Sequence, residues 1–254
     1  MSAASLAVFE YHLVGYRRTW RGSIFSSVLL PLLYVLGIGV GVGRYVDAGS
    51  GLTVPYLDYV VPGLLAATAF NTGFGESSFP VFSRFQWIRT YDAIRASPAG
   101  IADMITGQLG WVAFRAATTA AVFVAITAAF GTVHSWWGPA SLPVAVLVAL
   151  AVAAPVTAFS AAITSDSHFA VVGRFVVVPM TLFAGVFFPV SSLPTVLRPV
   201  AYASPLWHGV ELCRAATLGT GSFWPAVGHV AYLVAWVVGG YLLALVAFRR
   251  RLAV

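Results

Sequence analysis

The sequence contains no lysine, and all 14 of its basic residues are arginines. A phosphate-binding P-loop, G-x-x-x-x-G-K-[ST], requires a lysine next to its last position. The chain therefore cannot bind and hydrolyse ATP through that motif. We therefore expect no cofactor in this chain.

Charged residues are also scarce, at 9% of the 254 residues, whereas hydrophobic residues make up 59%. A soluble domain has about 25% charged residues, so the chain has too few to cover a water-facing surface. The excess apolar surface predicts a membrane protein, because lipid is the solvent that accepts it. The net charge of +6 does not indicate a nucleic-acid partner, because the arginines lie at the ends of apolar runs.

The usual patterns of enzyme and metal sites are missing as well. Cys213 is the only cysteine, which excludes an intrachain disulfide and a thiolate metal cluster. The motifs H-E-x-x-H and G-x-S-x-G do not occur, and the five histidines are scattered. Asp166 and His168 lie close together, but capping of a short turn explains them better than a catalytic dyad. We therefore predict no catalytic residue and no metal site, and we do not expect an enzyme.

Long apolar runs are the main feature that is present. A helix crosses a membrane core of about 30 Å with about 20 apolar residues, and backbone polarity favours helices for such runs. Six runs fit, so we predict an all-α polytopic membrane protein with six transmembrane helices in a single domain, residues 1–254. The predicted spans are residues 23–43, 60–82, 101–130, 142–164, 169–190 and 226–248.

The arginines predict the orientation of these spans. With the N-terminus in the cytoplasm, the inner side carries Arg17, Arg18, Arg21, Arg84, Arg89, Arg95, Arg174, Arg249, Arg250 and Arg251. The outer side then carries only Arg44, Arg198 and Arg214. Because cytoplasmic loops are enriched in basic residues, we predict a multi-pass membrane protein with both termini in the cytoplasm.

Three segments outside the spans have patterns of their own. Residues 1–21 predict an amphipathic helix in the cytoplasmic membrane interface, since apolar residues recur at spacings of three and four. Its apolar stripe consists of Leu6, Phe9, Leu13, Tyr16 and Trp20. Residues 83–100, the 83–100 loop, predict a short cytoplasmic helix with aromatic contacts, supported by i,i+3 pairs of Asp92 with Arg89 and Arg95. The loop is either a docking element or a solvated connector.

Residues 191–223, the 191–223 segment, lie between the last two predicted spans on the outer side. The segment contains prolines but is too apolar for an ordinary loop, with Trp207, Val210 and Leu212 among its residues. Glu211 and Arg214 form a further expected i,i+3 pair. We predict short re-entrant helices, because irregular backbone at membrane depth has to be buried in protein or line a cavity.

Two charged residues fall inside predicted spans. Arg115 lies near the middle of the third span, and Glu76 in the second span is its nearest candidate partner. A charge within the membrane is costly and faces a partner or a wet cavity. Glu76 and Arg115 are therefore expected either to pair with each other as packing partners or to face a substrate path. Aromatic residues that would line such a path, unless they serve packing alone, are Phe70, Phe74, Phe183 and Phe187.

Residues 183–214, FAGVFFPVSSLPTVLRPVAYASPLWHGVELCR, resemble the signature of ABC-2 type transporter permeases, in which a span ends in G-x-x-F-P and is followed by L-P, P-L and an arginine. The matching residues are Gly185, Phe188, Pro189, Leu193, Pro194, Pro205, Leu206, His208 and Arg214. Residues 89–108 resemble the family's cytoplasmic loop and third-span entry. The resemblance covers nearly the whole chain and is strongest to nodulation lipo-oligosaccharide and antibiotic-resistance export permeases.

The resemblance implies the six-helix type V exporter fold and a permease subunit of an ATP-binding-cassette exporter. Two ATPase subunits, which would hold ATP and Mg²⁺, would bind from the cytoplasmic side of a bacterial inner membrane. A second permease subunit would complete a homodimer or, alternatively, a heterodimer within membrane lipid. The position of the family's coupling helix is occupied by Arg84, Trp87, Arg89, Tyr91, Asp92 and Arg95. The implied substrate is amphipathic: a lipid, a lipid-linked saccharide or a hydrophobic drug. An ion-coupled or passive transporter without an ATPase is the alternative.

Overall fold

The computed structural model describes residues 2–37 and 54–252, and the regular secondary structure of this part of the chain is all helical, with no strand. The end of the predicted first span, residues 38–43, and Arg44 lie outside the described residues. The helices are α1 (Ala3–Leu36), α2 (Tyr56–Ser77), α3 (Phe79–Gln86), α4 (Thr90–Arg95), α5 (Ile101–Ala129), α6 (Ser141–Ala162), α7 (Ser167–Val172), α8 (Val178–Phe183), α9 (Arg198–Tyr202), α10 (Pro205–Leu218) and α11 (Phe223–Leu252).

Three helical stretches in the described ranges are long and apolar enough to cross a membrane: Ile101–Ala129, Gly138–Ala162 and Phe223–Leu252. They coincide with the predicted third, fourth and sixth spans. Ile101–Ala129 alone is about 43 Å long at 1.5 Å per residue, which exceeds the apolar core of a bilayer. These helices support an integral membrane protein, and the count of six spans stays a prediction.

The predicted second and fifth spans are interrupted. The second divides at Ser78 into α2 and α3. The fifth consists of α7, a π-helical turn at Gly173–Val177 and α8, so it ends at Phe183 rather than residue 190. The π turn lies just before Pro179, whose ring has no N–H to continue the α-helical ladder. From Ser167 to Phe183 this helix is about 26 Å long.

Helix α6 is at the centre of the bundle and contacts α2, α5, α10 and α11. Its buried face is rich in alanine, including Ala145, Ala149 and Ala153. A methyl group at Gly73 of α2 would collide with the backbone of Ala149, and the backbone of α11 approaches Pro155 at Gly240 in the same way. Small residues therefore let these helices approach backbone to backbone, which is how helices pack in a lipid environment.

Helix α1 differs from the expected interfacial helix. It continues from Ala3 to Leu36 without a break between the predicted residues 1–21 and the first span. Its first half runs parallel to the first half of α5, because Ser2 donates a hydrogen bond to Asp103 and Tyr16 contacts Phe114. The expected boundary at residue 21 is therefore not present, because the N-terminal residues pack against α5.

The buried face of α1 also differs from the predicted apolar stripe. Ser5, Val8 and His12 are buried, whereas Leu6 and Trp20 are 52% and 44% exposed. Val8 lies directly on Gly107 of α5, where no larger residue fits. The face of α1 that packs against α5 therefore overlaps only partly with the predicted apolar stripe.

The connections gather at two ends of the bundle. At one end His134 donates its backbone N–H to Thr217, and its ring lies 2.9 Å from the carboxylate of Asp58. At the other end Arg251 donates to the carbonyl oxygen of Ile163 over 2.6 Å and to Gln86 over 2.9 Å. The arginines predict that the second end is the cytoplasmic one.

Candidate functional site: a charged cavity, the 83–100 loop and the outer signature

The predicted pair of Glu76 and Arg115 forms. The Nε of Arg115 donates to Oε1 of Glu76 over 3.1 Å, and the side chains are 14% and 26% exposed for Arg115 and Glu76. Trp111, one helical turn before Arg115 on α5, donates its indole N–H to Oε2 of Glu76 over 2.9 Å. Both carboxylate oxygens of Glu76 therefore have a donor.

A chain of hydrogen bonds connects this pair to helices α3 and α1. Gln108 donates to the backbone carbonyl of Glu76 over 2.9 Å and accepts from Nη1 of Arg84 over 2.8 Å. The Nη2 of Arg84 lies 3.1 Å from Nδ1 of His12. A guanidinium group only donates, so Nδ1 of His12 is the acceptor. With that nitrogen unprotonated, the imidazole of His12 is neutral.

These residues surround a cavity of about 440 Å³ between α1, α2, α3 and α5, called the polar cavity below. Its charged lining residues are three arginines, Arg18, Arg84 and Arg115, and one acid, Glu76, so the lining has a net charge of +2. Aromatic rings of Tyr11, Tyr16 and Trp111 complete the wall. The guanidinium of Arg115 lies over the ring of Tyr16, 4.9 Å from its centroid.

The four phenylalanines predicted for the substrate path do not line the polar cavity. Phe70 is buried in the main core, and Phe74 and Phe187 pack against that core. Phe183 packs against the small cluster of Val190, Leu193 and Ala201. Packing is the role that their positions support.

Several lining residues were missed at the level of sequence. His12 and Arg18 belong to α1, and nothing in the sequence indicates their proximity to α3 and α5. Gln108, Trp111 and Arg115 follow each other at spacings of three and four, which places them on one face of a helix. That polar stripe in a predicted span was a usable signal.

The 83–100 loop contains the end of α3, a tight turn and α4. Trp87 and Ile88 at the turn are 56% and 63% exposed. The ring of Trp87 lies against those of Phe79 and Phe82, at centroid distances of 5.2 and 5.5 Å. Arg89 caps α4 with φ +53°, a left-handed conformation that is uncommon for a residue with a side chain. The turn therefore presents an apolar, protruding surface.

Tyr91 does not belong to that exposed surface, contrary to the docking role expected for it. Its ring is 2% exposed and packs on Phe85 and Phe248, with centroids 4.5 and 5.2 Å away. Burial raises the pKa of Tyr91. An aromatic residue on α4 gains more by entering the bundle than by facing water. Tyr91 anchors the loop to α11.

The charged residues of the loop also differ from expectation. Arg84 points into the polar cavity, and Arg95 donates to the carbonyl oxygen of Leu252 at the end of α11. Asp92 is exposed, and the ion pairs within the described ranges do not include the expected pairs of Asp92 with Arg89 and Arg95. Arg95 bonds to the carbonyl oxygen of Leu252, and Arg89 lies in the tight turn before α4.

The outer signature is held together around Gly185. The carbonyl oxygen of Gly185 accepts hydrogen bonds from the hydroxyl of Tyr59 over 3.3 Å and from Nη2 of Arg214 over 2.9 Å. The expected pair of Arg214 with Glu211 forms over 2.7 Å. Gly185 has φ +80°, which only glycine adopts without strain. The first and last signature residues are thus in contact.

The remaining signature residues shape the turns before and within α10. Phe188, Pro189 and Pro194 lie in the connection after α8, and Pro205 is the first residue of α10, where a missing N–H costs nothing. His208 lies 2.7 Å from His229, Nδ1 to Nδ1, and stacks on Tyr232. No group of three or more metal-binding side chains occurs in the part of the chain that the structure describes.

Comparison with known proteins gives consistent results. The family model described as "ABC-2 type transporter" matches residues 5–218. The chain is 29% identical to Nodulation protein J of Rhizobium leguminosarum bv. trifolii over 252 residues, covering 97% of this chain and 93% of that protein. It is 28% identical to Nodulation protein J of Rhizobium meliloti (strain 1021) over the same length and coverage.

A more distant relative is the Inner membrane transport permease YadH of Escherichia coli (strain K12). It is 25% identical over 238 residues, covering 90% of this chain and 88% of that protein. The family match spans more than half of the chain and includes the polar cavity, the 83–100 loop and the outer signature. The chain therefore belongs to the ABC-2 type transporter family of membrane transport permeases, and this membership implies a partner ATPase subunit.

Proposed function

We propose that this chain is the membrane subunit of an exporter that moves an amphipathic substrate, such as a lipid, a lipid-linked saccharide or a hydrophobic drug, out of the cytoplasm or the inner leaflet. Two ATPase subunits bind ATP and Mg²⁺ and dock on the cytoplasmic end of the bundle. A second copy of the permease completes the complex in the bacterial inner membrane. The segment with α9 and α10 forms the re-entrant exit on the outer side.

One observation carries the coupling part of the proposal. The turn of the 83–100 loop exposes Trp87 and Ile88, whereas Tyr91, four residues after Trp87, is anchored between Phe85 and Phe248. A protruding apolar tip is suited to bind a partner, because aromatic residues dominate binding energy at interfaces. Because Tyr91 packs on Phe248 of α11, a displacement of the exposed turn would also move α11.

The test is replacement of Trp87 by alanine in the full chain, co-expressed with a candidate ABC ATPase. We expect Trp87→Ala to reduce co-purification of the ATPase by at least about tenfold and to abolish substrate-stimulated ATP hydrolysis, as expected for a central aromatic contact. Membrane insertion should be unchanged, because Trp87 is largely exposed.

Trp136→Ala is the matched control, because Trp136 is fully exposed at the opposite end of the bundle. Equal co-purification and activity in the two variants would contradict docking at the 83–100 loop. Transport by the purified chain alone, without an ATPase, would instead support the ion-coupled or passive alternative.

A further inference from the structure

The polar cavity has more positive charge than its own residues compensate. Its acid, Glu76, is already bound by Arg115 and Trp111. Both partners of Arg84, Gln108 and the neutral His12, are uncharged. Arg18 has neither a hydrogen bond nor an ion pair to any residue that the structure describes.

Arg84 is partly buried, whereas Arg18 is exposed at the mouth of the cavity. Positive charge without a counter-charge is unfavourable at Arg84, because desolvation destabilises the charged form. An anion that enters the polar cavity removes this cost. Guanidinium groups bind phosphate, sulfate and carboxylate groups through paired hydrogen bonds and are less strongly hydrated than lysine. A lining with arginine as its only cation is therefore suited to such oxyanions.

The volume of the polar cavity and its aromatic lining restrict the class of ligand that it can bind. Its volume of about 440 Å³ fits a headgroup or a sugar phosphate. The rings of Tyr11, Tyr16 and Trp111 provide flat apolar walls beside the arginines. An inorganic anion would contact only the arginines, whereas the headgroup of an amphipathic molecule would also contact the aromatic rings.

We propose that the polar cavity binds the oxyanion of an amphipathic ligand, a phosphate or sulfate ester or a carboxylate, through Arg18 and Arg84. Glu76, which accepts a hydrogen bond from Trp111, holds Arg115 in place beside them. That this anionic group belongs to the transported molecule rests on the proposed function. Binding itself is a property of this chain and needs no ATPase.

The test measures binding to the purified full chain in a neutral detergent, through the shift of its thermal unfolding midpoint with ligand concentration. Three probes separate the sources of the anion: dioctanoyl phosphatidic acid, dioctanoylglycerol with the same chains but no phosphate, and inorganic phosphate. We expect phosphatidic acid to raise the unfolding midpoint and dioctanoylglycerol to leave it unchanged.

Two variants locate the site. Apparent affinity for phosphatidic acid should fall about threefold in Arg18→Gln and about tenfold in Arg84→Gln. Arg17→Gln is the matched control, because Arg17 is exposed on the same helix, as Arg18 is, but does not line the cavity. Arg18 has no partner among the described residues, so its replacement leaves the fold intact even if Arg84→Gln does not fold.

The outcomes are distinct. A response to phosphatidic acid that inorganic phosphate does not reproduce supports an amphipathic ligand, whereas a full effect of inorganic phosphate alone contradicts it and assigns the site to soluble anions. Equal affinity in wild type and Arg18→Gln, or an equal response to dioctanoylglycerol, overturns the proposal. Failure of ATPase docking at Trp87 leaves these measurements unaffected, so the two proposals fail separately.

Discussion

Gly73 and Gly75 lie two residues apart on α2 and have opposite surroundings. A methyl group at Gly73 would collide with the backbone of Ala149, whereas at Gly75 it would meet no atom within 4 Å. We predict that Gly73→Ala lowers the free energy of unfolding by about 1–3 kcal/mol through overpacking. Thermal unfolding in detergent, followed by size-exclusion chromatography, measures the change.

Gly75→Ala is the control for this prediction. Alanine in a helix interior is favoured over glycine by about 0.5–1 kcal/mol, so this variant should be as stable as the wild type or more stable. A loss of stability in Gly75→Ala as large as in Gly73→Ala would contradict the close approach of α2 and α6.

At the scale of single residues the sequence predicted one contact of the polar cavity and missed the others. The pair of Glu76 and Arg115 followed from a general rule, since a charge within a predicted span needs a partner. The bond between Arg84 and His12 joins residues 72 positions apart. Such contacts depend on how helices pack against each other, which a local sequence pattern does not contain.

Among the helices, α10 gives a direct test of burial through the only cysteine. Cys213 is fully buried between α10 and its neighbours, and burial raises the pKa of its thiol to about 12. The reactive thiolate is then almost absent at neutral pH. We predict that a maleimide does not label Cys213 in the folded protein and labels it after denaturation in sodium dodecyl sulfate.

Ser222→Cys provides the comparison, because residue 222 is exposed just before α11. A chain with both cysteines should take up one label when folded and two when denatured, as counted by mass spectrometry. Uptake of label at Cys213 in the folded protein would show that α10 is not packed between α2, α6 and α11.

The helices also show where hydropathy succeeds as a predictor. The spans that became α5, α6 and α11 are long and uniformly apolar, and their type and position follow from composition. The break at Ser78 and the π turn at Gly173–Val177 depend on single residues and local hydrogen bonds. The continuous α1 depends on packing against α5, so its predicted division at residue 21 had no structural basis in this chain.

For the whole molecule, the arrangement of the loops predicts two accessible ends. Trp136 is fully exposed at the end with His134 and Thr217, and Ala96 is exposed at the end with Arg95 and Leu252. In a Cys213→Ser background, a membrane-impermeant maleimide added to intact bacterial cells should label Trp136→Cys at once. Ala96→Cys should be labelled only after permeabilisation, because the arginines predict that its end is cytoplasmic.

The reverse pattern of labelling would place both chain termini outside the cell and would remove the cytoplasmic position of the 83–100 loop. Rapid labelling of both variants in intact cells would indicate that the two ends are not separated by a membrane. Immunoblotting of both variants checks that they are present in equal amounts.

The hydrogen bonds between the 83–100 loop and α11 have a mechanical consequence. Arg95 of α4 donates to the carbonyl oxygen of Leu252, and Arg251 donates to Gln86 of α3, so the C-terminal end of α11 is bonded to both helices beside the exposed turn. A rod of 30 residues is about 45 Å long. A tilt of about 5° at its base would swing its far tip, beside the His208 and His229 rings, by about 4 Å, wide enough to admit or shut out a water molecule.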